Sequence, residues 1–161
     1  MTDSSEPSTE TAKRPQRRMV VEEDGPMKGW TRWHAENYGR FSDLIGPSWM
    51  RVGDDGKAVC RIPTEHRHAN WQDYLHGGFL MAFIDQVLFA VAMPSLRTHS
   101  AVTLTCNTEF IGGGKVGTPL DGTGEIIKET GKTIFIRGEL YQPDNLICAF
   151  SGVLRKFPRK S

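Results

Sequence analysis

Between His76 and Met93 the chain is apolar at almost every position, HGGFLMAFIDQVLFAVAM, and Pro94 closes the run. Only Asp85 and Gln86 interrupt it. A helix over this stretch would be about 27 Å long at 1.5 Å per residue, and with no polar face it should be buried all round. A membrane span needs about 20 apolar residues. This run is shorter, carries an Asp at its middle and lies among strand patterns, so the buried helix is preferred.

After Pro94 the hydrophobic period becomes two. From Ala101 to Phe110, Val102, Leu104, Cys106 and Phe110 fall on one face, with Thr103, Thr105, Asn107 and Glu109 on the other. Gly112-Gly113-Gly114 ends that strand. Gly124 to Glu129 and Thr133 to Tyr141 flank a turn at Thr130-Gly131-Lys132, and Leu146 to Lys156 follows Gln142-Pro143-Asp144-Asn145. Ahead of the helix, Trp49 to Val52 and Ala58 to Ile62 flank Gly53-Asp54-Asp55-Gly56-Lys57, a hairpin signal. Earlier still, Trp30, Trp33, Tyr38, Phe41, Leu44 and Ile45 recur at roughly helical spacing, predicting an amphipathic helix stopped by Gly46-Pro47. The sum is an α+β architecture, an antiparallel sheet of five to six strands wrapped around one long central helix. Such a sheet leaves its edges in need of cover, so an oligomer is expected.

Composition sharpens the boundaries. With 20 Lys plus Arg against 19 Asp plus Glu in 161 residues, the formal charge of +1 gives no field to attract nucleic acid. Mean hydropathy is −0.42, low for a packed domain. The deficit sits in residues 1–28, rich in Ser, Thr, Glu, Pro and Arg, which read as a polar, mobile tail ahead of a single domain over residues 29–161. The basic stretch Lys13 to Arg18 is balanced by Glu22-Glu23-Asp24, so the tail neutralises itself. Cys60, Cys106 and Cys148 are odd in number and widely spaced. They suit a reducing, cytoplasmic setting better than a disulfide framework or a zinc site, and no secretory segment follows the first methionine.

The chemistry centres on the apolar run. An ionised carboxylate buried without partners costs several kcal/mol, so Asp85 needs either a task or a firm partner. It stands nine positions beyond His76, about two and a half helical turns, so these two side chains of one chain cannot meet. If both serve one site, they come from different subunits. His76-Gly77-Gly78 opens the helix, where first-turn N–H groups lack intrahelical partners and can receive a developing oxyanion. The alternative is that the glycines only relieve close packing. His66 and His68 form an HxH pair with no further ligand at metal spacing, and no metal is expected. Gly112-Gly113-Gly114-Lys115 follows a strand without opening a helix, so it is not a phosphate-binding loop, and no G-x-S-x-G nucleophile elbow is present.

Asn70, His76-Gly77-Gly78 and Asp85, followed by Thr103 and Asn107, Gly114-Lys115 and a final meander, resemble the hotdog-fold acyl-CoA thioesterases of the PaaI-like, phenylacetate-pathway type over about Trp49 to Phe157. The resemblance implies subunits paired into a continuous sheet, dimers associating into a homotetramer, and a substrate that carries coenzyme A, with no separate cofactor. It implies Asp85 as general base or nucleophile and the Gly77 N–H as oxyanion donor across the dimer interface. Asn70 would orient the water or carbonyl and Thr103 would place a hydroxyl near the attacking water. His76 belongs to the same motif, while Gly78 and Phe79 would contact substrate. Phe79, Met81 and Phe83 are candidates to line an acyl tunnel, and Lys115, Arg137, Arg155 and Lys156 are candidates for the coenzyme A phosphates. The glycine run departs from the proline-containing turn of the family. Two other functions fit the same fold: an enoyl hydratase or dehydratase, and a non-catalytic acyl-CoA-binding protein.

Overall fold

The computed structural model describes residues 19–33 and 39–159. Its elements are β1 (Val20–Val21), β2 (Thr31–Trp33), α1 (Phe41–Ile45), β3 (Ser48–Val52), β4 (Ala58–Ile62), α2 (Gly77–Ala92), β5 (His99–Phe110), β6 (Leu120–Glu129), β7 (Thr133–Gln142) and β8 (Asn145–Pro158), with 3₁₀ turns at His66–His68 and Met93–Leu96. The strands form one antiparallel sheet in the order β1-β2-β3-β4-β6-β7-β8-β5. The hairpins at Gly53–Lys57 and Thr130–Lys132 lie where the turn residues put them. After β4 the chain runs through α2 to the far edge of the sheet, lays down β5 against β8, and returns to place β6 beside β4.

Apolar side chains of α2 meet one face of this sheet. Phe83, Ile84, Val87 and Leu88 have no exposed surface, and neither do Ile62, Leu120, Ile134, Leu140, Ile147, Cys148 and Leu154 of the strands. Each large side chain so buried contributes about 1.5–3 kcal/mol. The helix can sit this close because Gly122 and Gly152 leave room: a Cβ there would stand 2.6 Å from Val87 and from Leu88, respectively. No helix among the described residues is long and apolar enough to cross a membrane.

The structure corrects the sequence reading in four places. Among the described residues the sheet has eight strands, not five or six. The added pair comes from residues 19–33, so Trp33 is in a strand, and only Phe41–Ile45 of the expected N-terminal helix is helical. Tyr38 lies outside the described residues. Tertiary contacts override the weak helical period. Trp30 is buried beneath the guanidinium groups of Arg51 and Arg61, at 4.7 and 5.2 Å from its ring centroid. Arg32 pairs with Trp49 in the sheet, and the Trp49 indole N–H donates to Glu22 at 2.8 Å. Of the expected tail, residues 1–18 lie outside the described residues, and residues 19–28 contain β1.

The third correction is the orientation of β5. Its register shifts between Thr103, opposite Leu154, and Thr105, opposite Val153, so Leu104 is an extra residue. A bulge of this kind inverts the alternation beyond it. Val102 and Leu104 are therefore 47 % and 53 % exposed, and Thr103 is turned toward α2 instead of solvent. The fourth concerns α2 itself. Met81, Ala82, Asp85 and Phe89 are only half-buried, a stripe along one face of a helix expected to be enclosed on all sides.

Candidate active site

Asp85 projects from the half-buried stripe toward the edge strand. Thr103 Oγ1 donates a hydrogen bond to Asp85 Oδ1 at 2.6 Å, a charge-assisted contact that holds the carboxylate in one orientation. The bulge at Leu104 sets the register of this edge strand. Cys106 is the next residue on the inner face of β5. Burial raises its thiol pKa above the usual range, with a lesser contribution from the negative charge of Asp85. Burial, with help from Asp121, pushes Cys60 to about 12, and burial alone pushes Cys148 to about 11. These groups remain thiols near neutrality, so none is a ready nucleophile.

The N-terminus of α2 is built around His76. Its backbone is extended (φ −67°, ψ 134°), and its ring Nδ1 accepts the N–H of Gly78 at 2.9 Å, an N-cap made by an imidazole. That bond places the ring proton on Nε2. The Gly77 N–H makes no hydrogen bond among the described residues. The ring of Phe110 lies against Gly77, 3.4 Å from where a Cβ would stand. Phe79 is buried with its ring stacked on His68, and Phe83 is wholly enclosed in the core. Of the three apolar candidates for a tunnel, only Met81 borders Asp85's open face.

Asn70 organises the loop before the helix. Its Oδ1 accepts the N–H groups of Gln72 and Tyr74 at 2.8 and 3.2 Å, and its own N–H donates to the Tyr74 carbonyl at 2.7 Å. The amide Nδ2 makes no hydrogen bond among the described residues and stays available as a donor. Asp73 takes a left-handed conformation, φ 61°, to close the turn. The glycine run braces this loop from behind. Leu75 N–H donates to the Gly114 carbonyl at 2.9 Å, and Cβ atoms at Gly113 and Gly114 would stand 2.8 Å from the Tyr74 ring and 2.6 Å from Leu75. Gly113 and Gly114 are thus a packing surface for the segment leading into α2, while a Cβ at Gly112 would stand 2.5 Å from the Leu146 carbonyl oxygen.

The chain therefore brings Asp85 to Thr103, His76 to Gly78, and Gly77 to Phe110. It does not bring Asp85 to Gly77, which are eight residues and about 12 Å of helix apart.

Residues 72–149 match the model of the thioesterase superfamily. Over 78 residues the chain is 28 % identical to acyl-coenzyme A thioesterase 13 of Mus musculus, covering 48 % of this chain and 55 % of that protein. The chain thus spans about half the length of this curated relative. Among solved structures, a hypothetical thioesterase from Streptococcus pneumoniae TIGR4, determined with coenzyme A, superposes with a TM-score of 0.62 at 21 % identity, over 71 % of this chain and 88 % of that one. The E. coli PaaI protein of the phenylacetic acid degradation operon gives 0.60 at 20 % identity, over 68 % and 79 %.

This is a hotdog fold. Its long helix is α2, and β1 and β2 lengthen its sheet on the side away from β5. Residues that carry geometry in this hotdog escaped the sequence reading. The hydrophobic pattern puts Phe110 and Cys106 on one face with Val102 and Leu104, whereas the bulge, which leaves no signal in that pattern, puts them on the side of Thr103. His66 is exposed and His68 buried, so the HxH pair diverges. Among the candidate phosphate partners, Arg137 pairs with Glu125 at 2.6 Å and Lys156 pairs with Glu129. Lys115 and Arg155 are exposed, with no ion pair among the described residues.

Proposed function

We propose that this chain is an acyl-CoA thioesterase, working in a reducing, cytoplasmic setting, that hydrolyses a thioester to a carboxylic acid and free coenzyme A. The Thr103–Asp85 hydrogen bond on an open helix face carries the reading. Thr103 occupies Oδ1 and leaves Oδ2 to take a proton from water. The water then attacks the thioester carbonyl, the C–S bond breaks, and the thiolate leaves without strong acid help. What the reaction asks of the protein is a base, a positioned water and an oxyanion donor. The free N–H of Gly77 at the positive end of α2 is the donor, and the Asn70 amide orients the water or the carbonyl. The base and the donor are about 12 Å apart within one chain, so each site is completed by a second copy.

Strand β5 supports such pairing. It ends the sheet, runs for 12 residues, and carries Thr103 in its first half and Phe110, against Gly77, at its last position. Two such edges pairing antiparallel about Asn107 would set Thr103 of one copy opposite Ile111 of the other, next to Phe110 and the Gly77 it covers. The half-buried stripe on α2 would be covered by the same event. Association of two such dimers gives the homotetramer. A hydratase would use the imidazole of His76 together with a carboxylate on one substrate carbon, yet that imidazole is engaged as the helix cap. A binding protein is the reading left if no substrate turns over.

The test is thiol release from a panel of aryl and medium-chain acyl-CoAs, followed by subunit mixing. Gly77→Pro removes the N–H at the first helical position, where proline is tolerated, and His76 already has the extended ψ that proline requires before it. Asp85→Asn and Gly77→Pro should each be inactive alone. Mixed in equal amounts they should recover about a quarter of wild-type turnover, because half the dimers are mixed and hold one intact site of two. No recovery with both variants folded and associated would place the site within one chain. A single turnover in ¹⁸O-water that labels Asp85 would assign it as nucleophile.

A further inference from the structure

Gly77 donates usefully only if the turn that presents it is held in place, and the group that holds it is His68. This residue is 5 % exposed, on the 3₁₀ turn His66–His68, and three contacts radiate from it. Its Nδ1 accepts the N–H of Glu65 at 3.0 Å. Its carbonyl accepts the N–H of His76, the N-cap of α2, at 2.8 Å. Its ring lies flat on Phe79, with centroids 4.1 Å apart and planes inclined by 10°. Two of these contacts therefore end on the residues immediately before and after the Gly77-Gly78 pair.

An accepting Nδ1 leaves the ring proton on Nε2, and that atom is buried with no hydrogen-bond partner. The Ile45 carbonyl attracts this N–H but lies outside hydrogen-bond geometry. An unpaired buried donor is destabilising. A phenyl ring would keep the stacking without that cost, so packing alone does not account for an imidazole here. The Nδ1 acceptor does. The charged and titratable groups around it are Glu65 and Arg67 of its own turn, paired with each other at 3.1 Å, and His76, whose residue is exposed at the head of α2. From α1 the Ile45 carbonyl faces it. Burial first, then Arg67, hold the ring below its ordinary pKa, so its Nδ1 lone pair is free at neutral pH.

We propose that His68 is a positioning residue of the thioesterase site. Through its Nδ1 acceptor it closes the 65–68 turn, whose carbonyl fixes the N-cap of α2 and hence the direction of the Gly77 N–H. This rests on the assignment of Gly77 as oxyanion donor.

Two substitutions separate the ring from the acceptor. His68→Phe keeps the stacking and loses Nδ1; His68→Asn supplies an oxygen in place of Nδ1 and loses the ring. If His68 positions the donor, activity follows the acceptor and stability follows the ring. His68→Phe should melt at or above the wild-type temperature, yet lose about ten- to a hundredfold in kcat with KM within about threefold. His68→Asn should melt lower and keep kcat within about threefold of wild type. If kcat ranks in the same order as melting temperature, or His68→Phe keeps kcat within about twofold, the proposal is overturned and the thioesterase reading stands. If wild type releases no thiol from any acyl-CoA, the thioesterase reading falls, and amide exchange at Gly77 and Gly78 decides the positioning role. Faster exchange in His68→Phe than in wild type and His68→Asn supports it; equal exchange in all three removes it.

Discussion

The two sides of α2 show how one helix can serve stability and chemistry without conflict. Toward the body of the sheet it presents Phe83, Ile84, Val87 and Leu88, all fully enclosed. Toward β5 it presents Met81, Ala82, Asp85 and Phe89, all half-open. On the first side, shape complementarity is complete within one chain. On the second, the contact made is a hydrogen bond between a carboxylate and a strand hydroxyl. A carboxylate on the half-open side stays near water, which avoids the full cost of burying it in the core.

This contrast can be broken from either side. The largest effect belongs to the open side. Asp85→Asn should lower thiol release by about a thousandfold, the scale of a lost general base, while chemical denaturation moves by less than about 1 kcal/mol. A large loss of stability would show that Asp85 is a structural residue. On the closed side, Phe83→Ala should cost about 3–5 kcal/mol of unfolding free energy by leaving a cavity, whereas Met81→Ala should cost less than about 1 kcal/mol. Equal penalties at the two positions would mean that the open stripe is already packed. Thr103→Ala should reduce kcat roughly tenfold through loss of orientation of Asp85, and Thr103→Ser should restore most of it. The smallest effect is one of pH. His68 has a folded-state pKa below its ordinary value of 6.5, so the unfolded chain takes up its proton first. Its contribution to stability is complete above about pH 6.5 and is lost as the pH falls through that value toward the lower folded one. His68→Phe should show a shallower decline in melting temperature across that window, and an unchanged decline would assign it to other groups.

The closed side was legible in advance. Phe79, Leu80, Phe83, Ile84, Val87 and Leu88 are apolar at consecutive helical positions, and such a run has one physical outcome in water. The hairpin turns were equally plain, because Gly and Asp at fixed offsets restrict the backbone locally. The open side was only half legible. Asp85 stood out because a carboxylate in an apolar helix is costly, but that argument does not say which side of the helix the sheet leaves bare. The face of β5 was misassigned because a bulge is one extra residue in a register, decided by the partner strand. The segment around Trp30 and Trp33 was misassigned for a similar reason: its spacing is weakly helical, and pairing with β3 together with the cations over Trp30 outweighs it.

His68 and the three glycines mark the limit of the sequence. A short HxH pair and a GGG run each invite a chemical reading, of metal or of phosphate. In the fold one histidine braces the head of a helix and the other faces solvent, and the glycines make room for Asn145 and Leu146, for Tyr74 and for Leu75 in turn. The chain alone determined that there would be a long apolar helix, a set of antiparallel strands, and a single carboxylate that needed explaining, because each follows from local periodicity or from the cost of burying charge. Tertiary structure decided that Thr103 is the partner of that carboxylate, that Phe110 lies against Gly77, and that His68 braces the head of α2. Those outcomes depend on register and on distances between segments remote in sequence, which no local pattern encodes.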